Sequence, residues 1–197
     1  MRYSTEHKAA TRERVLKEAA KEIRAKGPEN VAVAGVMARA GLTHGGFYAH
    51  FPSKDALVKE AIGTMFADAR ARTERIDAKG DPRTVLRAYV DFYLSAKHRD
   101  SRDRGCPLPT LSGDFARSQP ATRARFGAGV EGIASRLAAP LAALGYADPE
   151  AESHALLAQL VGGVALARAV GDAELSDALL ADTHASIVAR YELETAQ

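Results

Sequence analysis

The chain has no tryptophan, a single cysteine and no long apolar run, and each absence narrows what it can be. With Cys106 alone there is no internal disulfide framework, which fits a protein folded by its core in a reducing compartment. No stretch approaches the roughly 18 consecutive apolar residues that a membrane-spanning helix needs. Residues 1–20 are charged rather than apolar, so no signal peptide is expected and the cytoplasm is the expected location. Runs of strand-forming residues are missing too, and a 46% hydrophobic, alanine-rich composition points to an all-α fold. The histidines His7, His44, His50, His98, His154 and His184 are scattered without metal-ligand spacing. There is no phosphate-cradling glycine loop, nucleophile elbow or paired-carboxylate signature, so a helical enzyme is the weakest reading and neither metal nor cofactor is expected.

What the sequence does have is an uneven charge. Residues 1–60 hold 11 Lys or Arg against 7 Asp or Glu, whereas residues 61–197 hold 16 against 18. The positive end coincides with the densest motif in the chain, Val36 to Phe51. Val36, Met37 and Ala40 share one helical face, Gly41 suits the left-handed residue that ends a helix, and Leu42 fills the corner between two helices. Thr43 is positioned to cap the next helix, which presents Thr43, His44, Gly45, Tyr48 and His50 outward while Phe47 and Phe51 turn inward. Pro52 stops it, and Ser53 caps a further helix starting Lys54-Asp55. Gly45 and Gly46 on a short exposed helix cost about 1 kcal/mol each, a cost that stability alone does not explain. Small residues there allow a helix backbone to sink into the major groove.

The ungapped order Val36-Met37-x-x-Ala40-Gly41-Leu42-Thr43-x-Gly45-x-Phe47-Tyr48-x-His50-Phe51-x-Ser53-Lys54-x-x-Leu57 resembles the N-terminal signature of the TetR family of bacterial transcriptional repressors. The resemblance implies an N-terminal three-helix helix-turn-helix DNA-binding domain, residues 1–56, with its reading motif at about 32–51. It also implies a C-terminal helical ligand-binding and dimerisation domain, residues 57–197. Thr43, His44 and Gly45 are then expected at base edges, with Gly46 beside them, and Tyr48, His50 and Lys54 at phosphates. Two positions depart from the family pattern. Ala32 stands where Ser or Thr commonly caps the helix before the turn, and Gly35 follows in its first turn, which softens that helix by about 1 kcal/mol at each position.

In chain order, Met1 to Glu6 reads as a loose polar arm carrying Arg2, and a first helix runs from about His7 to Lys26. Val15, Leu16, Ala19, Ala20 and Ile23 form its buried stripe, and Gly27-Pro28 stops it. Lys8, Arg12 and Arg14 are either a solvated face or phosphate contacts. The helix from Ser53 to about Ile76 spans about 35 Å, long enough to leave the reading domain and act as the lever from the second. Lys79-Gly80-Asp81-Pro82 is the clearest break, with Asp81 capping a helix expected from Pro82 to about Lys97.

That helix carries Tyr89, Phe92 and Tyr93, the richest aromatic cluster in the chain, which is either plain core or one wall of an effector pocket. A polar connection, Lys97 to Pro107, ends at Cys106. Its cations would favour a thiolate, yet a cysteine followed by Leu108, Leu111 and Phe115 is equally a small buried hydrophobe, so a redox or electrophile sensor and simple packing both stand. Pro120 starts the next helix, with Phe126, Val130, Ile133, Leu137 and Leu141 inward. The candidate effector pocket is therefore Tyr89, Phe92, Tyr93, Cys106, Leu111, Phe115 and Phe126.

Asp148-Pro149-Glu150 starts a helix to Val170 that is apolar around most of its circumference, so it needs two partners, the chain's own core and a second subunit. Ala158, Gly162, Gly163 and Ala165 would let helices approach closely. A last helix, capped by Ser176, brings Leu179, Leu180, Ile187, Val188 and Tyr191. The resemblance implies that these two helices pair with their copies as a four-helix bundle, so the candidate dimer interface is Ala158, Gly162, Ala165, Leu179 and Ile187. Two reading heads on a twofold axis would read a palindrome with half-sites roughly 34 Å apart. The expected function is a homodimeric repressor released from a palindromic operator in double-stranded DNA by a small-molecule or thiol-reactive effector. The alternative is a helical protein-interaction module that has lost DNA binding.

Overall fold

Gly27 and Gly41 both adopt positive φ, 79° and 73°, and they end the first two helices where glycine alone turns without strain. The computed structural model describes residues 2–77 and 80–194, and all its regular elements are helical. Helix α1 spans Arg2–Lys26, α2 Val33–Arg39, a 3-10 segment His44–Ala49, and α3 Lys54–Asp77. Helices α4 (Pro82–Tyr93), α5 (Ala96–Asp100), α6 (Leu108–Phe115), α7 (Pro120–Ala143), α8 (Pro149–Ala169) and α9 (Ala173–Arg190) follow. None of the described helices is long and apolar enough to cross a membrane.

The head is built from α1, α2, the 3-10 segment and the start of α3. Val15, Ala19, Ala20 and Ile23 of α1, Val36 and Met37 of α2, Phe47 and Phe51 from the reading segment, and Leu57, Ala61 and Ile62 of α3 close one buried cluster. Helix α3 lies along α1 on one side and α7 on the other, while α7 packs on α8 and α8 on α9. The core therefore runs unbroken from the head into the body. The expected division after residue 56 falls inside α3, whose buried residues Leu57, Val58, Ala61 and Ile62 follow directly.

Four local expectations are corrected. The residues read as a loose arm are helical, since α1 begins at Arg2; Met1 lies outside the described residues, as does Lys79. The helix expected to reach Lys97 ends at Tyr93, because Ser95 turns extended (ψ 148°) and its hydroxyl accepts the His98 N–H, capping α5 afresh. The last helix is capped by Asp172, whose carboxylate accepts the Leu175 N–H at 2.7 Å, and Ser176 is instead buried and donates to the Ala167 carbonyl. The reading segment is a 3-10 turn, and Thr43 begins it through its carbonyl, which accepts the Gly46 N–H at 3.1 Å, without a side-chain cap. Asp81, Asp148 and Ser53 do cap as their sequence positions indicate.

Candidate nucleic-acid interface and effector region

The reading segment is two-faced because its aromatic residues alternate between anchor and display. Phe47 and Phe51 stack at 5.8 Å in the core, while Tyr48 sits edge-on to Phe47 and remains 70% exposed. Thr43, His44 and Gly45 are exposed beside it, and Gly46 is half-buried. A Cβ built on Gly45 would meet nothing within 4 Å, and one on Gly46 would make only ordinary contacts with Met37 and Thr43. Nothing inside the protein therefore requires glycine at 45. His50 is half-buried, and its Nδ1 is enclosed without a hydrogen-bond partner. Lys54 Nζ donates to the Glu29 carbonyl at 2.6 Å. Ala32 begins α2 with no side-chain cap, in line with the departure noted in the sequence.

Of the cations on α1, Arg12 is committed internally. Its guanidinium lies 4.7 Å above the Phe51 ring and pairs with Glu60 of α3. Arg24, which composition alone does not distinguish from its neighbours, is fully buried and joins head to body. It donates to the Met65 carbonyl (3.3 Å), the Asp103 carbonyl (3.1 Å) and the Asp68 carboxylate (2.9 Å). A sequence signal existed: Arg24 follows Ile23, at the edge of the buried stripe of α1.

In the body, the structure brings Tyr89, Phe92, Tyr93 and Cys106 together around a void of about 20 Å3, and separates them from Leu111, Phe115 and Phe126. The latter are closed core, with Phe115 and Phe126 at 4.8 Å and none lining the void. Tyr93 is 1% exposed and its hydroxyl has no hydrogen-bond partner, while burial, then the neighbouring Cys106, raises its pKa well above the usual range. Cys106 is buried, and burial pushes its thiol up despite the cations of Arg168 and Arg24. Desolvation thus outweighs the nearby cations and disfavours the thiolate, which leans toward the packing alternative.

His98, unremarked in the sequence except as one of the scattered histidines, organises this corner. Its Nδ1–H donates to the Tyr93 carbonyl at 2.7 Å and its Nε2 accepts the Cys106 N–H at 3.1 Å. Arg168 of α8 fastens the same loop, donating to the carbonyls of His98 (2.8 Å) and Arg99 (2.9 Å) and to the Thr110 hydroxyl (2.7 Å). Burial is the main reason that the His98 pKa falls to about 4.

The outward face of α8 and α9 carries Ala158, exposed, with Gly162, Ala165 and Leu179 half-buried and Leu166 55% exposed. Ile187 is fully buried in its own chain's core and leaves the candidate interface, because a side chain closed inside one protomer has no surface to offer a second. Gly163 also faces inward, against Thr183.

Residues 15–61 match the family model described as bacterial regulatory proteins, tetR family. Comparison with curated proteins finds no match. Among solved structures, the chain is similar to the reduced form of E. coli NemR, with TM-score 0.78 and 20% identity over 90% of this chain and 95% of that one. It is likewise similar to a TetR-family transcriptional regulator from Agrobacterium tumefaciens, with TM-score 0.76 and 20% identity over 93% and 98% of the two chains. A TetR regulator from Chloroflexus aurantiacus gives TM-score 0.78 and 23% identity over 93% and 96%. These identities establish the shared fold, and residues 15–61, which build the head, match the model of the tetR family of bacterial regulatory proteins.

Proposed function

We propose that the protein is a homodimeric repressor, held on a palindromic operator by its reading heads and released by a reversible small-molecule effector bound in the body. The observation that carries DNA reading is Gly45, bare and exposed beside a 70% exposed Tyr48 on a segment otherwise anchored in the core. Thr43, His44, Gly45 and Gly46 face base edges in this reading, and Tyr48, His50 and Lys54 meet phosphates, Lys54 by exchanging the Glu29 carbonyl for a phosphate oxygen. Residues 1–56 serve reading and 57–197 serve effector binding and dimerisation, with α3 common to both. The dimer forms through the α8 and α9 face of Ala158, Gly162, Ala165 and Leu179, since that face is small, apolar and unpaired within the described chain.

Fluorescence anisotropy on DNA from upstream of the protein's own gene tests this. Binding is expected to weaken steeply as salt rises, and Tyr48→Phe or Lys54→Ala to weaken it on all sequences alike. A flat salt response would overturn the repressor in favour of a helical interaction module. Buried and protonated, Cys106 supports packing rather than thiol sensing, so Cys106→Ser is expected to leave release intact. Release by an oxidant or electrophile that vanishes in Cys106→Ser would reverse that.

A further inference from the structure

Residues 98–106, the end of α5 and the loop after it, are gripped through their backbone from three helices. Arg24 of α1 donates to the Asp103 carbonyl (3.1 Å), Arg72 of α3 to the Arg104 carbonyl, and Arg168 of α8 to the carbonyls of His98 (2.8 Å) and Arg99 (2.9 Å). Arg102 returns the contact by donating to the Arg168 carbonyl at 2.8 Å. Gly105 lets the loop close. A Cβ there would stand 2.8 Å from the Ser101 carbonyl oxygen and 3.1 Å from both the Arg168 guanidinium and His98 Nε2.

Arg24 is the costly member of this set. Its guanidinium is 1% exposed, pairs with Asp68 at 2.9 Å and reaches the Met65 carbonyl at 3.3 Å, yet its Nε has no hydrogen-bond partner. A buried ion pair repays little more than its own desolvation, so an apolar side chain would hold α1 against α3 about as firmly. What the guanidinium alone supplies is the directed bond across to Asp103. That bond matters because of how the head is carried. Helix α1 packs on α2 and α3, and α3 runs on into the body to meet α4 and α7. A head mounted on one helix can still tilt about it. A second tie, from α1 to a loop that α8 also holds, removes that freedom.

We propose that Arg24 and Arg168 are positioning residues for operator reading: acting through residues 98–106, they fix the angle between the reading head and α8, and so the separation of the two heads in the dimer. This rests on the repressor reading, in which α8 pairs with its copy through Ala158, Gly162 and Ala165, on the same helix as Arg168.

Anisotropy tests it on palindromes built from the half-site bound upstream of the protein's own gene, with the spacer varied one base pair at a time. Each base pair turns one half-site by about 35° relative to the other. The wild type is expected to prefer one spacing over its neighbours by about tenfold or more. Arg24→Gln, Arg168→Gln and Gly105→Ala are each expected to cut that preference below about threefold, while a single half-site is bound within about twofold of wild type. A loss shared equally by the single half-site and every spacing is what a merely structural role gives, and it would overturn the proposal, as would an unchanged spacing profile. Hydrogen exchange of the DNA-free protein reads the coupling without an operator. Arg168 is half-buried at the end of α8, so its substitution does not turn on core tolerance. Arg168→Gln is expected to speed exchange by about tenfold in residues 20–26 of α1 as well as in 98–106, and to leave 36–51 unchanged. Acceleration confined to the loop and α8 would reject the coupling. A wild type that binds no palindrome at low salt would overturn the repressor reading, and with it the role in operator spacing, whereas exchange reaching α1 would still establish that α8 and the head are coupled.

Discussion

At the scale of single residues, the proposed function makes Gly45 the position that separates stability from DNA reading. Its Cβ direction is open, so Gly45→Ala is expected to leave the thermal midpoint unchanged or slightly raised while weakening operator binding at least tenfold in anisotropy. Equal operator affinity would mean that the segment does not approach the groove floor. His98 makes a pH prediction. Burial lowers its pKa from 6.5 to about 4, so between those values the unfolded chain binds a proton that the folded chain refuses. Stability from this residue is thus complete above pH 6.5 and is lost as pH falls toward 4, by about 3 kcal/mol at most. Urea midpoints at pH 7.5 and pH 5 should fall in the wild type, and the fall should shrink in His98→Asn.

At the scale of elements, what the sequence revealed and what it concealed follow a physical line. Turn glycines, proline at the first helical position and the caps Asp81, Asp148 and Ser53 act within four residues and were legible, whereas Thr43 and Ser176, equally local candidates, do not cap. The reading motif was legible for the same reason. Breaks within an apolar stripe were not. Tyr89 to Leu94 continues an acceptable helical pattern, and only the tertiary position of His98 makes the Ser95 cap preferable to another turn of helix. Ser95→Ala is therefore expected to cost about 1 kcal/mol in chemical denaturation and to loosen the loop holding Cys106. Roles depending on partners distant in sequence were also hidden: Arg24, whose partners lie at Met65, Asp68 and Asp103, and Ile187, whose burial is set by the packing of α9 on α8 and α4. The void at Tyr93 arises from four separate elements, and no spacing within any one of them encodes it.

At the scale of the whole molecule, the proposed function ties dimerisation to release, because two heads would read a palindrome only when a common axis holds them. Ala158→Glu and Gly162→Glu place like charges on the outward face of α8 without meeting a neighbour at Gly162. Sedimentation equilibrium is expected to show monomers with unchanged helical circular dichroism, and operator affinity to drop more than tenfold. Persistent dimers would move the interface elsewhere. The continuity of α3 has a further consequence for how such proteins diversify. The helix begins at Lys54 beside the reading turn, seals the head with Leu57, Ala61 and Ile62, and reaches Phe66 and Arg70 in the body without an intervening linker. The head is therefore not an exchangeable cassette that recombination could cut at a loop. On the proposed function, a graft that changes what DNA is recognised while keeping the signal must be joined in mid-helix, in register with both the α1 and α7 surfaces.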